Sequence, residues 1–242
     1  MNRKRKASKP LVIQNDRIVS LYFDARGVQS TMFRHDPYAL ALGYTRTMMG
    51  FLLLRPAPRR ISMIGLGGGS LAKYCYRHLP ETAITAVEIN PEVIALRDQF
   101  HLPPDDERFR VVCADGARFV TGTDHRPDVL LVDAFNADGL PAELGSTTFY
   151  EACRRRLSDD GMMVANLVTD EPDFQRYLRA LREVFANALA LAPSEGSQHN
   201  VTVFAWKGAG QVPSLAAMLE RARVLEPRHA VNLHATATRI EY

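Results

Sequence analysis

The 242-residue sequence predicts an α/β protein in which a doubly wound parallel sheet, covered by helices, follows a small N-terminal β-hairpin domain. From Ile61 onward, short apolar runs alternate with helical stretches, as they do where strands pair in parallel through helical crossovers. The first of those runs ends in Gly65-Leu66-Gly67-Gly68-Gly69-Ser70, a glycine-rich turn between a strand and a helix. Before Ile61 the rhythm is different, with brief apolar runs broken by turn residues.

Leu11-Val12-Ile13, Asn15-Asp16, Ile18 to Phe23 and Asp24 to Gly27 read as hairpins reaching Phe33. Asp36-Pro37 then opens a segment with apolar residues at Leu40, Tyr44, Met48, Phe51 and Leu52, which predicts a helix to Leu54, stopped by Arg55-Pro56-Ala57-Pro58. Ile61 to Ile64 is a strand, Leu71 to His78 a helix and Ile84 to Ile89 a second strand. Asn90-Pro91-Glu92 starts a helix expected to run to Phe100. Phe109 to Cys113, Val129 to Val132, Met162 to Val168 and Val201 to Trp206 are further strands. Helices are expected over Thr147 to Leu157, Glu171 to Phe185 and Gln211 to Arg223, and the text past Glu220 has no clear period. The expected organisation is a basic tail over 1–10, a β piece plus helix over 11–56 and a nucleoside-binding domain over 57–242.

Hydrophobic residues at 46% and charged residues at 24% fit a chain that folds by burial and exclude a disordered or collagenous one. The net charge of +3 comes from the tail: Arg3, Lys4, Arg5, Lys6 and Lys9 supply five of 30 cations, leaving 25 against 27 acids. Nucleic acid is therefore not expected as a partner. Three separate cysteines and histidines without ligand spacing suggest neither a disulfide framework nor a metal site. The longest apolar run, Met48 to Leu54, is far short of the roughly 20 residues that span a bilayer, and no apolar leader follows the cationic start. A cytoplasmic setting without membrane contact is the expectation.

In doubly wound sheets, ligands sit beyond the carboxyl ends of the strands. The first such loop offers Gly65, Gly67 and Gly69, which let a ligand approach the backbone ahead of a helix N-terminus. Glu88 ends the second strand 23 residues after Gly65, where a carboxylate can accept two hydrogen bonds from the vicinal hydroxyls of a ribose. Asp115, followed by Gly116, could accept from an adenine amino group or cap the next helix. The fourth loop, Asp133-Ala134-Phe135-Asn136-Ala137-Asp138, gathers polar groups where a strand runs out.

On these residues the chain resembles the polyamine aminopropyltransferases, the spermidine and spermine synthases, over about Asp16 to Lys207. The resemblance is carried by Asp24-Ala25-Arg26-Gly27-Val28-Gln29-Ser30, the glycine loop, the segments around Glu88 and Asp115, Asp133, Phe149-Tyr150-Glu151-Ala152 and Asn200-Val201-Thr202-Val203-Phe204-Ala205. The Glu88 and Asp115 segments are shared with class I S-adenosylmethionine-dependent methyltransferases, whereas the Gln29 segment and Phe149-Tyr150 favour the narrower family. It implies a Rossmann-like, class I methyltransferase-like domain, a homodimer and a small amine or other acceptor. The implied donor substrate is decarboxylated S-adenosylmethionine, or S-adenosylmethionine itself, with no metal. Glu88 would hold the ribose, Asp115 and Gly116 the adenine, and Gly65, Gly67 and Gly69 the shelf, with Gln29 reaching over from the β piece and Asp133 at the donor.

The reacting end departs from the family pattern. The family's Asp-Ser/Thr-x-Asp loop places its second Asp on Asn136, and an amide cannot act as a general base. Asp138, two residues on, is the candidate substitute; Asp133 and Tyr44 complete the implied catalytic set. The family's Tyr-His-Glu falls on Tyr44-Thr45-Arg46, and the glycine loop lacks the family's Asp. The chain therefore reads as an aminopropyltransferase with an altered acceptor site. A methyltransferase and a non-catalytic nucleoside-binding relative are the alternatives.

Overall fold

A computed structural model describes residues 9–24, 27–122, 124–136, 138–208 and 213–242. Most of the basic tail, Arg26 and Ala137 fall outside these residues. The chain opens with β1 (Leu11–Gln14), β2 (Ile18–Tyr22) and β3 (Val28–Phe33), an antiparallel sheet in the order β1-β2-β3. Asn15 makes the first turn, its Oδ1 accepting from the backbone N–H of Arg17 and of Ile18.

The predicted helix over 36–54 is two short ones, α1 (Gly43–Met48) and α2 (Phe51–Leu54). Asp36 does not cap them; its Oδ1 accepts from Tyr38 N in a turn of its own. Gly50 separates them, and a Cβ there would lie 2.7 Å from Thr236 Cγ2 and 2.8 Å from Thr47 O, so close packing sets the break.

The main sheet contains β4 (Arg60–Ile64), β5 (Ala83–Glu88), β6 (Phe109–Cys113), β7 (Val129–Val132), β8 (Met162–Val168), β9 (Leu189–Pro193) and β10 (Asn200–Trp206), in the order β6-β5-β4-β7-β8-β10-β9. The five strands from β6 to β8 pair in parallel. β10 is antiparallel to both β8 and β9, a correction to the all-parallel expectation. The order reverses at β4, so the crevice beyond β4 and β7 is the switch point where ligands bind in such sheets. Val129-Leu130-Leu131-Val132 is wholly buried, as a central parallel strand covered on both faces must be.

Between the strands lie α3 (Ser70–His78), α4 (Pro91–Ile94), α5 (Gly116–Gly122), α6 (Thr147–Arg156) and α7 (Phe174–Val184), with α8 (Leu215–Leu225) and α9 (Leu233–Arg239) closing the chain. Asn90, Ser146, Ser214 and Asn232 cap α4, α6, α8 and α9, each side chain accepting from a backbone N–H two or three residues on. The helix expected to run to Phe100 stops at Ile94. Leu96 N and Arg97 N then bond three residues back, and His101 takes φ +53°. Phe100 O receives Lys73 Nζ at 2.6 Å, from a lysine fully buried on α3. Past Glu220 the chain is helical: Val231, Leu233 and Ala237 bury completely where α8 and α9 meet.

Candidate functional site

Backbone geometry at the end of β4 draws the first loop against its neighbours. Gly65 takes φ +96°, donates its N–H to Val87 O at 2.8 Å, and would place a Cβ 2.1 Å from Asp133 O. At Gly69, φ +69°, a Cβ would meet Leu102 Cδ1 at 2.5 Å. Both glycines are therefore required by packing. Gly67 differs: at φ +52° its nearest atoms would be Ser30 Cβ at 3.8 Å and Gln29 O at 4.0 Å, so its open side faces β3. That brings Gln29 beside the loop, and Ser30 Oγ lies 3.3 Å from Ser70 Oγ at the start of α3.

Glu88 ends β5 with 8% of its surface exposed. Its Oε2 accepts from Leu66 N at 3.1 Å and its Oε1 from Asn90 N at 2.9 Å, so one carboxylate ties the glycine loop to the start of α4. Each oxygen keeps a further lone pair. The adjacent Ile89 is 63% exposed, a large apolar side chain left to solvent beside an acid. Asp115 is half-buried, and its Oδ1 accepts from Arg118 N at 2.9 Å in the first turn of α5. Gly116 lets α5 sit on β4, since a Cβ there would lie 2.4 Å from Ile64 Cγ2.

At the end of β7, Asp133 accepts from Asn166 Nδ2 on β8 at 3.0 Å and from the Tyr44 hydroxyl on α1. Burial pushes its carboxyl above the ordinary range; the two hydrogen bonds oppose that without cancelling it. The Tyr44 hydroxyl is pushed well up, first by burial, then by the charge and hydrogen bond of Asp133. Asn136 and Asp138 stand at the exposed rim. Asn136 Oδ1 accepts from Asp138 N at 2.7 Å, and backbone bonds join Asn136 and Gly139 in both directions, so the asparagine side chain closes a turn.

Arg46 stands where the family pattern has an acid, whereas Glu195, Asn166 and Glu171 carried no functional expectation. Arg46 donates Nε to Glu195 Oε2 at 3.0 Å and Nη1 to Leu40 O and Ala41 O at 2.7 and 3.0 Å, so its charge is matched within the protein. Asn166 is a buried amide in an otherwise apolar strand, and that break in Met162 to Val168 was the signal for it. Glu171 Oε1 accepts from Leu140 N at 3.0 Å, fastening the loop after β7; burial raises its carboxyl. A cleft of about 470 Å³ opens beside α5 and α6, lined by Ala117, Ala142, Glu143, Ser146 and Phe149 among others. None of Gly67, Glu88 and Asp133 lines it. Among the described residues, no group of three or more metal-ligating side chains occurs, and no helix is long and apolar enough to cross a membrane.

Residues 41–204 match the Spermine/spermidine synthase domain model. A polyamine aminopropyltransferase of Neisseria meningitidis is 37% identical over 225 residues, spanning 92% of this chain and 85% of its own length. Among solved structures, a probable spermidine synthase from Corynebacterium glutamicum superposes with a TM-score of 0.72 at 20% identity, covering 88% of this chain and 82% of its own, a likeness of fold. Human methyltransferase-like protein 13, in complex with SAH, superposes with a TM-score of 0.65 at 27% identity, covering 78% of this chain and 90% of its own. With the family model covering most of the chain and a relative at this identity spanning nearly all of it, the chain belongs to the spermine/spermidine synthase family of transferase enzymes.

Proposed function

We propose that this chain transfers an aminopropyl group from decarboxylated S-adenosylmethionine to a small cationic amine. The observation that carries the reading is the convergence of two anchored acids on one crevice. Glu88 is bonded to the glycine loop at Leu66 N, and Asp133 is set against Gly65 and held by Asn166 and Tyr44. In this reading Glu88 accepts the ribose hydroxyls on its remaining lone pairs and Gly67 gives the donor backbone access. Ile89 covers one face of the adenine, Asp115 takes its amino group on the oxygen not used by Arg118 N, and Gln29 closes the pocket from β3. The sulfonium is an activated leaving group, so the protein has to position the amine and remove its proton.

Asp133 faces the positive charge of the reactants. A carboxylate whose ionised form is disfavoured by burial gains most from an incoming cation. Arg46 does not offset it, since Glu195 and two carbonyls engage its guanidinium. The acceptor half keeps an acidic balance, with Asp138, Asp170 and Glu171 on the same loops. A homodimer is part of this reading. Leu11 and Ile13, exposed at 55% and 52% on one face of edge strand β1, support it.

The methyltransferase-like neighbour with SAH favours a second reading, in which the donor is S-adenosylmethionine. Calorimetry with both donors and with methylthioadenosine separates the two. Tight binding of methylthioadenosine and the decarboxylated donor, with methylthioadenosine released when a diamine is added, is expected. Preference for S-adenosylmethionine with methyl transfer would replace the first reading by the second.

A further inference from the structure

β10 runs antiparallel to β8, so its first residues lie at the same end of the sheet as the loops after β4, β5, β6 and β7. Asn200 opens β10 opposite Val168, the last residue of β8. Immediately before it, His199 Nδ1 lies 2.5 Å from Oδ2 of Asp170. A file of hydrogen bonds joins the main chain at His199 to Asp133. His199 donates its backbone N–H to Ser197 Oγ at 3.2 Å, and Ser197 Oγ donates to Asn200 Oδ1 at 3.1 Å. Asn200 Nδ2 then donates to Asn166 Oδ1 at 3.1 Å, and Asn166 Nδ2 to Asp133 Oδ1 at 3.0 Å. The backbone beside the pair is closed by Thr169 N on His199 O at 2.8 Å.

This arrangement has the features of a base. An imidazole that gives one nitrogen to a carboxylate is fixed in orientation and tautomer, and its other nitrogen is left to take a proton. With side chains 69% and 65% exposed, His199 and Asp170 are open to an arriving amine. Asn136, by contrast, is an amide that closes a turn, and Asp133 already accepts from two donors. The charged groups around the histidine are Asp170 from the end of β8, Glu195 from its own loop, which is engaged by Arg46 of α1, and Asp133 beyond the two asparagines.

We propose that His199, positioned by Asp170, is the general base that takes the proton from the acceptor amine. The inference rests on the aminopropyl reading above. The acceptor arrives as an ammonium and gives one proton to His199 Nε2. The freed nitrogen lone pair attacks the carbon bonded to the sulfonium, the C–N bond forms, and the C–S bond breaks with its electrons going to sulfur. The products are a secondary ammonium and the neutral thioether, and the imidazolium returns its proton to solvent.

The test measures methylthioadenosine release from decarboxylated S-adenosylmethionine and butane-1,4-diamine across pH, alongside methylthioadenosine binding by calorimetry. Loss of a general base costs about 100-fold or more. His199→Gln is therefore expected to lower kcat by that factor, abolish the acid limb of the pH–rate profile and respond to added imidazole, with methylthioadenosine affinity unchanged. Asp170→Asn removes the carboxylate that orients the imidazole and is expected to give a smaller loss of kcat, with methylthioadenosine affinity unchanged. A wild-type chain that turns over, paired with a His199→Gln variant that keeps its rate and acid limb, overturns the proposal and leaves the function standing. A wild-type chain that binds methylthioadenosine but transfers nothing to a diamine overturns both.

Discussion

Asp133 combines burial with two hydrogen-bond donors, and burial dominates, so its carboxyl is raised in the folded chain. The linkage has a definite sign. As pH rises above the ordinary carboxylate range, the unfolded chain ionises first and the folded state loses stability. Ionised Asp133 therefore weakens the fold at neutral pH. Asp133→Asn keeps an acceptor for Asn166 and supplies a donor to Tyr44, so it is expected to raise Tm at pH 7, with a smaller gain at pH 4, while abolishing methylthioadenosine release. An unchanged or lower Tm at pH 7 would contradict the burial argument. Glu88 gives the complementary case, because its two oxygens hold Leu66 N and Asn90 N. Glu88→Gln turns one acceptor into a donor facing an N–H. It is expected to cost about 1–3 kcal/mol in urea unfolding and at least tenfold in methylthioadenosine affinity by calorimetry.

The glycine loop shows how much an element discloses in its text and where that stops. Its position between a strand and a helix was legible, because glycines break the apolar rhythm there. What the text could not separate was glycine kept for a ligand from glycine kept for packing. Gly65 and Gly69 abut Asp133 O and Leu102, whereas Gly67 opens towards β3. Gly65→Ala is thus expected to destabilise by about 3 kcal/mol or more, clash adding to positive φ. Gly67→Ala should cost only about 1–2 kcal/mol for its backbone conformation while weakening nucleoside binding; chemical denaturation and calorimetry on the two variants check this. The strands from β4 to β8 and β10 were legible for the same reason, as continuous apolar runs. β9 escaped because Leu189-Ala190-Leu191-Ala192-Pro193 follows a helix without a strong turn signal and pairs only at the sheet edge. The breaks after α1 and α4 escaped because Gly50 packs against Thr236 and the Phe100 carbonyl accepts from Lys73, distant side chains that no local window contains. Four strand-end segments of the candidate site could be read locally, but the contacts of Asn166, Glu195 and Asp170 could not: each partner lies 29 to 149 residues away.

At the scale of the molecule, buried titratable groups bound the pH range in which the chain is stable. His229 is 4% exposed, bonded to the Tyr74 hydroxyl, and burial lowers it from 6.5 to about 4. Below pH 6.5 the unfolded chain takes up the proton first, so stability falls as pH drops through the window from 6.5 to about 4. At the other end, burial pushes the Cys75 and Cys153 thiols up from 9.0, so above that pH the unfolded chain ionises first and stability falls again. Thermal unfolding across pH is expected to show its maximum between these limits. His229→Gln should flatten the acid side of that curve while leaving the alkaline side in place.

The contact between Arg46 and Glu195 bears on any attempt to graft this candidate site. The two residues sit on segments 149 positions apart, and Gly43 leaves no room for the loop at Glu195 to shift, a Cβ there falling 1.7 Å from Glu195 O. A chimera that imports helix α1 without residues 194–196, or the reverse, strands one charge in a half-buried seam, whereas moving both together preserves neutrality. Protein engineers who recombine this chain with its relatives must treat those distant stretches as one cassette.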